Sequence, residues 1–284
     1  MKKLSEINTG FIGTGAMGSA LIKAASKATD KIFITSRTKE NRARVAKELG
    51  VTEAEDNISL TKLSDIVFLV VKPAQLDAVL HEIKPHCDGK ILVSAAAGIK
   101  LSSIRAAIGG AKPAALIRVM PNIAASAGES MTALAVEKPA SETEKTTIEE
   151  AAELVRKLLI SGGLVERVDE NLMDCVTAIS GSGPAYAFIF IEALADAAVS
   201  LGMPRRAAYK FAAQTLKGAS TLVLESGRHP AELKDAVCSP AGTSIEAVCA
   251  LEAGAFRSTI IEAARNAARK SRSLAAGPAA AVPH

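Results

Sequence analysis

Three glycines, Gly13-x-Gly15-x-x-Gly18, carry the sharpest chemical signal in the sequence. They follow a short apolar run, 10–12, and open a stretch read as a helix over about 17–28. In that setting the first glycine permits a tight turn and the second lets the backbone approach a pyrophosphate. The third allows close packing of helix on strand. Thr14, Ala16 and Met17 fill the turn, and the helix start presents free N–H groups and a positive dipole end to phosphate oxygens. A glycine-rich turn without a ligand is the plainer alternative. The end of the next apolar run then selects the cofactor. A site for NAD places Asp or Glu there to hold the ribose 2′-hydroxyl. This sequence reads Thr35-Ser36-Arg37, with Lys39 close behind. A hydroxyl and a fixed-charge guanidinium suit a 2′-phosphate. NADPH is therefore the expected cofactor, with NADH possible, unless Arg37 merely solvates a helix start.

Further along, Val70-Val71-Lys72-Pro73, the small residues 94–98 (SAAAG) and Met120-Pro121-Asn122 each end an apolar run. Open α/β sheets bind cofactors at that edge, although any one of these is also a plain strand-to-helix turn. In the second half, Gly242, Thr243 and Ser244 stand at an expected helix start. Two readings stay open: a hydroxyl N-cap, or a cradle for a carboxylate.

The elements that must position these residues change character along the chain. Runs at 31–36 (KIFITS), 66–71 (IVFLVV), 90–95 (KILVSA) and 115–120 (ALIRVM) alternate with amphipathic stretches. Strands alternating with helices predict an α/β, doubly wound parallel sheet of the Rossmann kind. After about Val165 strand-like runs stop, and Ala-rich helical segments punctuated by Gly and Pro follow. The expected organisation is a dinucleotide-binding domain over 1–164 and an all-α domain over 165–276. The low-complexity end, 277–284, reads as a mobile tail.

Composition narrows the function. Aromatics are 3% of the 284 residues and Trp is absent, so base-stacking platforms are not expected. The net charge of +4 is scattered and argues against nucleic acid or a membrane surface as partner. The most apolar stretch, 184–203, carries Glu192 and Asp196 and reads as a buried helix of a soluble protein. Met1 to Glu6 lead into no apolar region of signal-peptide length, which together with four unpatterned cysteines (Cys87, Cys175, Cys238, Cys249) suggests reduced, mostly buried thiols in the cytoplasm. The four histidines form no metal or triad spacing, so no metal is expected.

The chain closely resembles the pyrroline-5-carboxylate reductases over about 9–274. The most specific stretches are 178–186 (AISGSGPAY), 233–244 (LKDAVCSPAGTS) and 251–257 (LEAGAFR). The resemblance implies a Rossmann domain followed by a helical dimerisation domain, and reduction of L-1-pyrroline-5-carboxylate to L-proline, the last step of proline biosynthesis. It assigns nicotinamide and ribose contacts to Val71, Lys72, Pro73 and Ala97, and an adenosine-side contact to Asn57. A substrate-side carboxylate falls on Glu170, and proline contacts fall on Gly242, Thr243 and Ser244, with Ser244 the candidate catalytic residue. Where the family usually reads S-P-G-G-T-T, this chain has Ala241 and Ser244. Self-association as a dimer or a ring of dimers, with a shared active site, is expected, since the helix from Pro184 is apolar nearly all round. The rivals are a β-hydroxyacid-dehydrogenase-like or other imine-reducing enzyme, and a non-catalytic NADP sensor. The first of these wants a lysine on the first long helix of the second domain, and 186–199 has none.

Overall fold

The computed structural model describes residues 3–275; the expected tail at 277–284 lies outside them. Eight strands form one sheet in the order β3-β2-β1-β4-β5-β6-β7-β8. They are β1 (Thr9–Ile12), β2 (Ile32–Thr35), β3 (Thr52–Glu53), β4 (Ile66–Leu69), β5 (Ile91–Ser94), β6 (Ala115–Met120), β7 (Ser130–Val136) and β8 (Gly163–Arg167). The first six run parallel, as expected, but β7 pairs antiparallel to β6, and β8 runs parallel to β7. The sheet is therefore mixed at one end. β8 also carries strand structure through Val165, where the sequence pattern had suggested that strands stop.

Buried strands explain the apolar runs, because alternate side chains feed two cores. Phe11 and Phe68, stacked with ring centroids 4.5 Å apart, face the core under α1 (Ala16–Ala25), α2 (Lys39–Leu49) and, beyond α3 (Asn57–Leu63), α4 (Pro73–Ile83) and α5 (Leu101–Ile108), the long amphipathic α6 (Glu142–Leu159). Ile12, Val67 and Leu69 face the opposite core, with Leu60, Leu76, Leu80 and Ile104 from α3, α4 and α5. Gly50 ends α2 in the left-handed conformation, φ 65°.

After a short α7 (Met173–Val176), Thr177–Gly181 forms a π-helical turn that runs directly into α8 (Gly183–Ser200). Pro184 therefore lies within a continuous helical run instead of opening one. Lacking an N–H, it leaves the carbonyl four residues back, on Ser180, without its helical donor. Asn122 Nδ2 supplies the replacement at 3.1 Å.

Contacts divide the chain into two compact units, the residues up to Ser182 with those from Ala267, and Gly183–Asn266. The second unit holds α8, α9 (Arg205–Ser226), α10 (Pro230–Ala236), α11 (Thr243–Ala253) and most of α12 (Phe256–Ala275). Its buried core consists of Ala195, Ala208 and Ala212. α8 is not the buried helix expected: within the single chain Phe188 and Ile189 are 60% and 66% exposed. Its hydrophobicity on all sides exceeds what one small-residue contact with α9 can cover. The run Glu170–Ser200 is, by length and composition, apolar enough to cross a membrane. Of the cysteines, all free thiols, Cys87 alone is fully buried, while Cys175 and Cys249 are exposed.

Candidate functional site

Parallel register brings the expected cofactor segments to one edge. Ile12 pairs with both Thr35 and Leu69, Leu69 with Ser94, and Ser94 with Arg118. The loops after β1, β2, β4, β5 and β6 therefore leave the sheet on the same side. Strand order reverses between β1 and β4, which makes the opening between them the topological switch point where such sheets take ligands.

The three glycines have distinct physical reasons. Gly13 sits at φ 107°, and a Cβ there would collide with the Val70 carbonyl oxygen. At Gly18 a Cβ would collide with the Gly13 carbonyl oxygen, so the helix could not pack so close. At Gly15 a Cβ would meet nothing within 4 Å. Its smallness is not needed by the chain's own packing, which leaves room for a ligand. Gly15 is also the N-cap of α1 and supplies no side-chain cap. The first intrahelical bond runs from Ser19 N–H to the Gly15 carbonyl at 2.8 Å, so the N–H groups of Ala16, Met17 and Gly18 precede the helical ladder.

Asn41, on α2, holds this turn. Its Nδ2 donates to Thr14 Oγ1 at 2.7 Å and the Thr14 carbonyl at 2.9 Å, and it reaches Ser36 Oγ at 3.4 Å. Sequence reading missed it, although an Asn one turn into a helix after Ser36-Arg37 is a detectable signal. Arg37 is exposed and forms no hydrogen bond or ion pair among the described residues. It is a cation free to meet a phosphate at the end of β2. Asn57, fixed at the first position of α3 by the Asp56 N-cap, accepts from Thr35 Oγ1 at 2.7 Å and donates to Glu82 at 2.8 Å. The backbone N–H of Ser59 holds the Asp56 carboxyl below the usual carboxylate range. Val71 approaches Gly13 closely, Lys72 caps α4, and Pro73 opens it, where a missing N–H costs nothing. Ala97 lies in the turn completed by Gly98 at φ 76°. Together these surroundings suit NADPH.

In the second unit, Gly242 is the N-cap of α11 and no side chain caps that helix. The hydroxyl-cap reading therefore fails for Thr243 and Ser244. The Gly242 N–H is already given to the Ser239 carbonyl at 3.0 Å, and the helical ladder begins only at Glu246 N–H. The free donors are the N–H groups of Thr243, Ser244 and Ile245, the last of which sequence reading did not name. Ala241 adopts φ 55°, the left-handed region that the family's usual glycine enters without strain.

The comparisons with known proteins bear on the family and the fold. Residues 170–274 match the family model described as pyrroline-5-carboxylate reductase dimerisation, and residues 8–98 match NADP oxidoreductase coenzyme F420-dependent. The pyrroline-5-carboxylate reductase of Pisum sativum is 38% identical over 93% of this chain and 95% of its own. That of Escherichia coli K12 is 39% identical over 95% and 98%. The crystal structure of a Plasmodium falciparum pyrroline carboxylate reductase with NADP bound superposes with a TM-score of 0.82, at 30% identity over 95% of this chain and 99% of that one. The chain belongs to the pyrroline-5-carboxylate reductase family.

One family-like stretch, 178–186, meets the loop after β6 in the first unit. Asn122 of Met120-Pro121-Asn122 donates to the Ser180 carbonyl and hydroxyl, and Ser180 Oγ donates to the Met131 carbonyl at 2.8 Å. A Cβ on Gly181 would meet the Met120 methyl at 2.6 Å, so the glycine lets the π-turn close on the loop. Beside them, Gly98, Lys100, Arg118, Glu170 and Asp174 line a cavity of about 460 Å³. Glu170 Oε1 accepts from Leu101 N–H at 2.6 Å and lies 3.5 Å from Arg118 Nη1. Burial draws the Arg118 guanidinium below its ordinary pKa, against the pull of Glu170 and Asp174. Arg118 escaped the sequence reading, although a cation inside the apolar run 115–120 was its visible sign. Among the described residues no cluster suited to a metal ion occurs.

Proposed function

We propose that this chain reduces L-1-pyrroline-5-carboxylate to L-proline with NADPH as the electron donor, NADH being accepted less well. The observation that carries the reading is the crevice at the sheet's switch point. Its glycine turn has room at Gly15, and beyond it stands an unpaired Arg37.

Bound NADPH supplies the hydride that reduces the C=N bond. The chain's own part is to hold and orient. The turn 13–18 takes the pyrophosphate, and Ser36 and Arg37 take the 2′-phosphate, with Asn57 on the adenosine side. Val71, Lys72, Pro73 and Ala97 shape the space for the nicotinamide and its ribose. Gly242, Thr243 and Ser244 receive the substrate, the free N–H groups at the start of α11 holding its carboxylate, since a helix start carries about half a positive charge. The Ser244 hydroxyl both donates and accepts, so it stays bonded to the ring nitrogen as imine becomes amine. It orients the ring and supplies the proton at nitrogen. It is not a nucleophile, because no base bonds to it among the described residues. Glu170 stands on the substrate side.

In this reading residues 1–164 serve the cofactor and 165–276 serve substrate and self-association. The assembly is a dimer or a ring of dimers in the cytoplasm, with neither nucleic acid nor membrane as partner. The test is consumption of NADPH with pyrroline-5-carboxylate as sole acceptor, with proline identified as product. Cofactor binding without turnover would refute it.

A further inference from the structure

We propose that Arg118 is a positioning residue that sets the loop 95–100 through Glu170 and the first peptide of α5; this rests on the reading that the loop receives the nicotinamide end of the cofactor. The side chain of Arg118 is 4% exposed, and its Nη2 is buried without a partner. A guanidinium held by one long ion pair is a destabilising choice inside an apolar strand, where a hydrophobic residue of similar volume would serve stability better. Its presence therefore asks for a task. The task is visible in its partner. The oxygen of Glu170 that faces Arg118 also accepts the N–H of Leu101, the first residue of α5.

The N-cap of α5, Lys100, makes no side-chain bond, so this cap comes from 69 residues away. A carboxylate at that point fixes where α5 begins and thus where the preceding turn, Ala97-Gly98, can lie. Gly98 and Lys100 line the same cavity as Arg118 and Glu170. Asp174 adds a second carboxylate and is itself held by Ser271 Oγ at 2.6 Å. Arg118 thus pairs with Glu170 at the cavity that Gly98 and Lys100 also line, with Asp174 on the same wall. It touches no reacting atom.

The experiment compares full-length wild type with Arg118→Met and Glu170→Ala. Dissociation constants are measured for NADPH, by nucleotide fluorescence, and for adenosine 2′,5′-bisphosphate, which carries only the adenosine half. A displaced loop should raise the NADPH constant about ten- to a hundredfold, leave the bisphosphate constant within about twofold, and lower kcat. Combining both substitutions should add little to either alone, since they act through one oxygen. Unchanged NADPH binding in folded Arg118→Met overturns the proposal, as does an equal loss for both ligands, which would mean general damage. Should Arg118→Met not fold, Glu170→Ala, whose side chain is 28% exposed, decides by the same two constants. Wild type without pyrroline-5-carboxylate turnover would refute the assigned reaction, while the two binding constants would still judge the positioning role.

Discussion

Replacing Arg37 with Ala tests the cofactor assignment where the structure makes the magnitude tractable. The guanidinium is exposed and has no partner among the described residues, so its removal breaks nothing inside the protein. Stability should stay within about 0.5 kcal/mol, as for other surface substitutions. Against a 2′-phosphate the loss is a charge-assisted bond of roughly 1.5–3 kcal/mol. Exposure and salt screening favour the lower figure, and about 1.4 kcal/mol corresponds to tenfold in affinity. The KM for NADPH should therefore rise about tenfold, while that for NADH, which presents a hydroxyl there, should move less than about twofold. Ser36→Ala should add a smaller loss, of the size of a neutral hydrogen bond, about 0.5–1.5 kcal/mol. Raising the salt concentration should erode the wild-type preference and leave the Arg37→Ala variant nearly flat. Steady-state kinetics with both cofactors over a salt series provide the measurement. Parallel losses for NADPH and NADH would show that Arg37 does not read the phosphate.

Other outcomes follow from single features. Ser244→Ala should lower kcat about ten- to a thousandfold, as for lost general-acid help, with NADPH affinity intact; because Ser244 caps nothing, a fall in thermal stability equal to a lost N-cap would contradict the structure. Ala241→Gly should stabilise the protein by roughly 0.5–1 kcal/mol. Relief of left-handed strain, about 1–2 kcal/mol, outweighs the roughly 0.5–1 kcal/mol of extra chain freedom, and calorimetry showing a lower Tm would refute this. Cys87, whose thiol burial pushes up to about 11, should resist iodoacetamide at neutral pH until the protein is denatured, as read by peptide mass spectrometry. Phe188→Glu should weaken self-association, and specific activity should then fall on dilution in step with the loss of the larger species in sedimentation; an active monomer would overturn the shared-site reading.

What could be read in advance divides along physical lines. The glycine turn was legible because Gly13 and Gly18 meet backbone carbonyls that no other residue tolerates, and such local constraints leave a fixed spacing in the chain. Ser36-Arg37 drew the expectation of a 2′-phosphate because a missing acidic residue is itself a pattern, and the structure leaves Arg37 exposed there. β7 went unread: its central residues Thr132, Ala133, Leu134 and Ala135 are all buried, and alanine has no strand preference to betray it. Arg118 and Glu170 were separated in meaning as well as in sequence. One looked like an irregularity in an apolar run and the other came only from resemblance, and the shared oxygen that joins them exists only in three dimensions. The Gly242 N–H was assigned to a ligand because nothing in the letters reveals the Ser239 turn that takes it.

The helical unit links self-association to the substrate role proposed for α11. α11, which carries Thr243 and Ser244, has no buried residue within the single chain, and the unit's fully buried residues are three alanines, with Ile191, Val199 and Met203 only half-buried against them. Phe211, Leu222, Leu224 and Leu251 are 45–70% exposed beside Phe188 and Ile189. Covering side chains of this size contributes about 1.5–3 kcal/mol each, whereas burying an alanine methyl contributes far less. Holding groups within about 0.5 Å of a productive geometry requires a packed support behind them. Three alanines do not supply it. If the start of α11 orients a small carboxylate as proposed above, the rigidity it needs comes with the burial that a second copy provides. On the proposed reading, the apolar faces that look wasted on one chain are then the support of its substrate end.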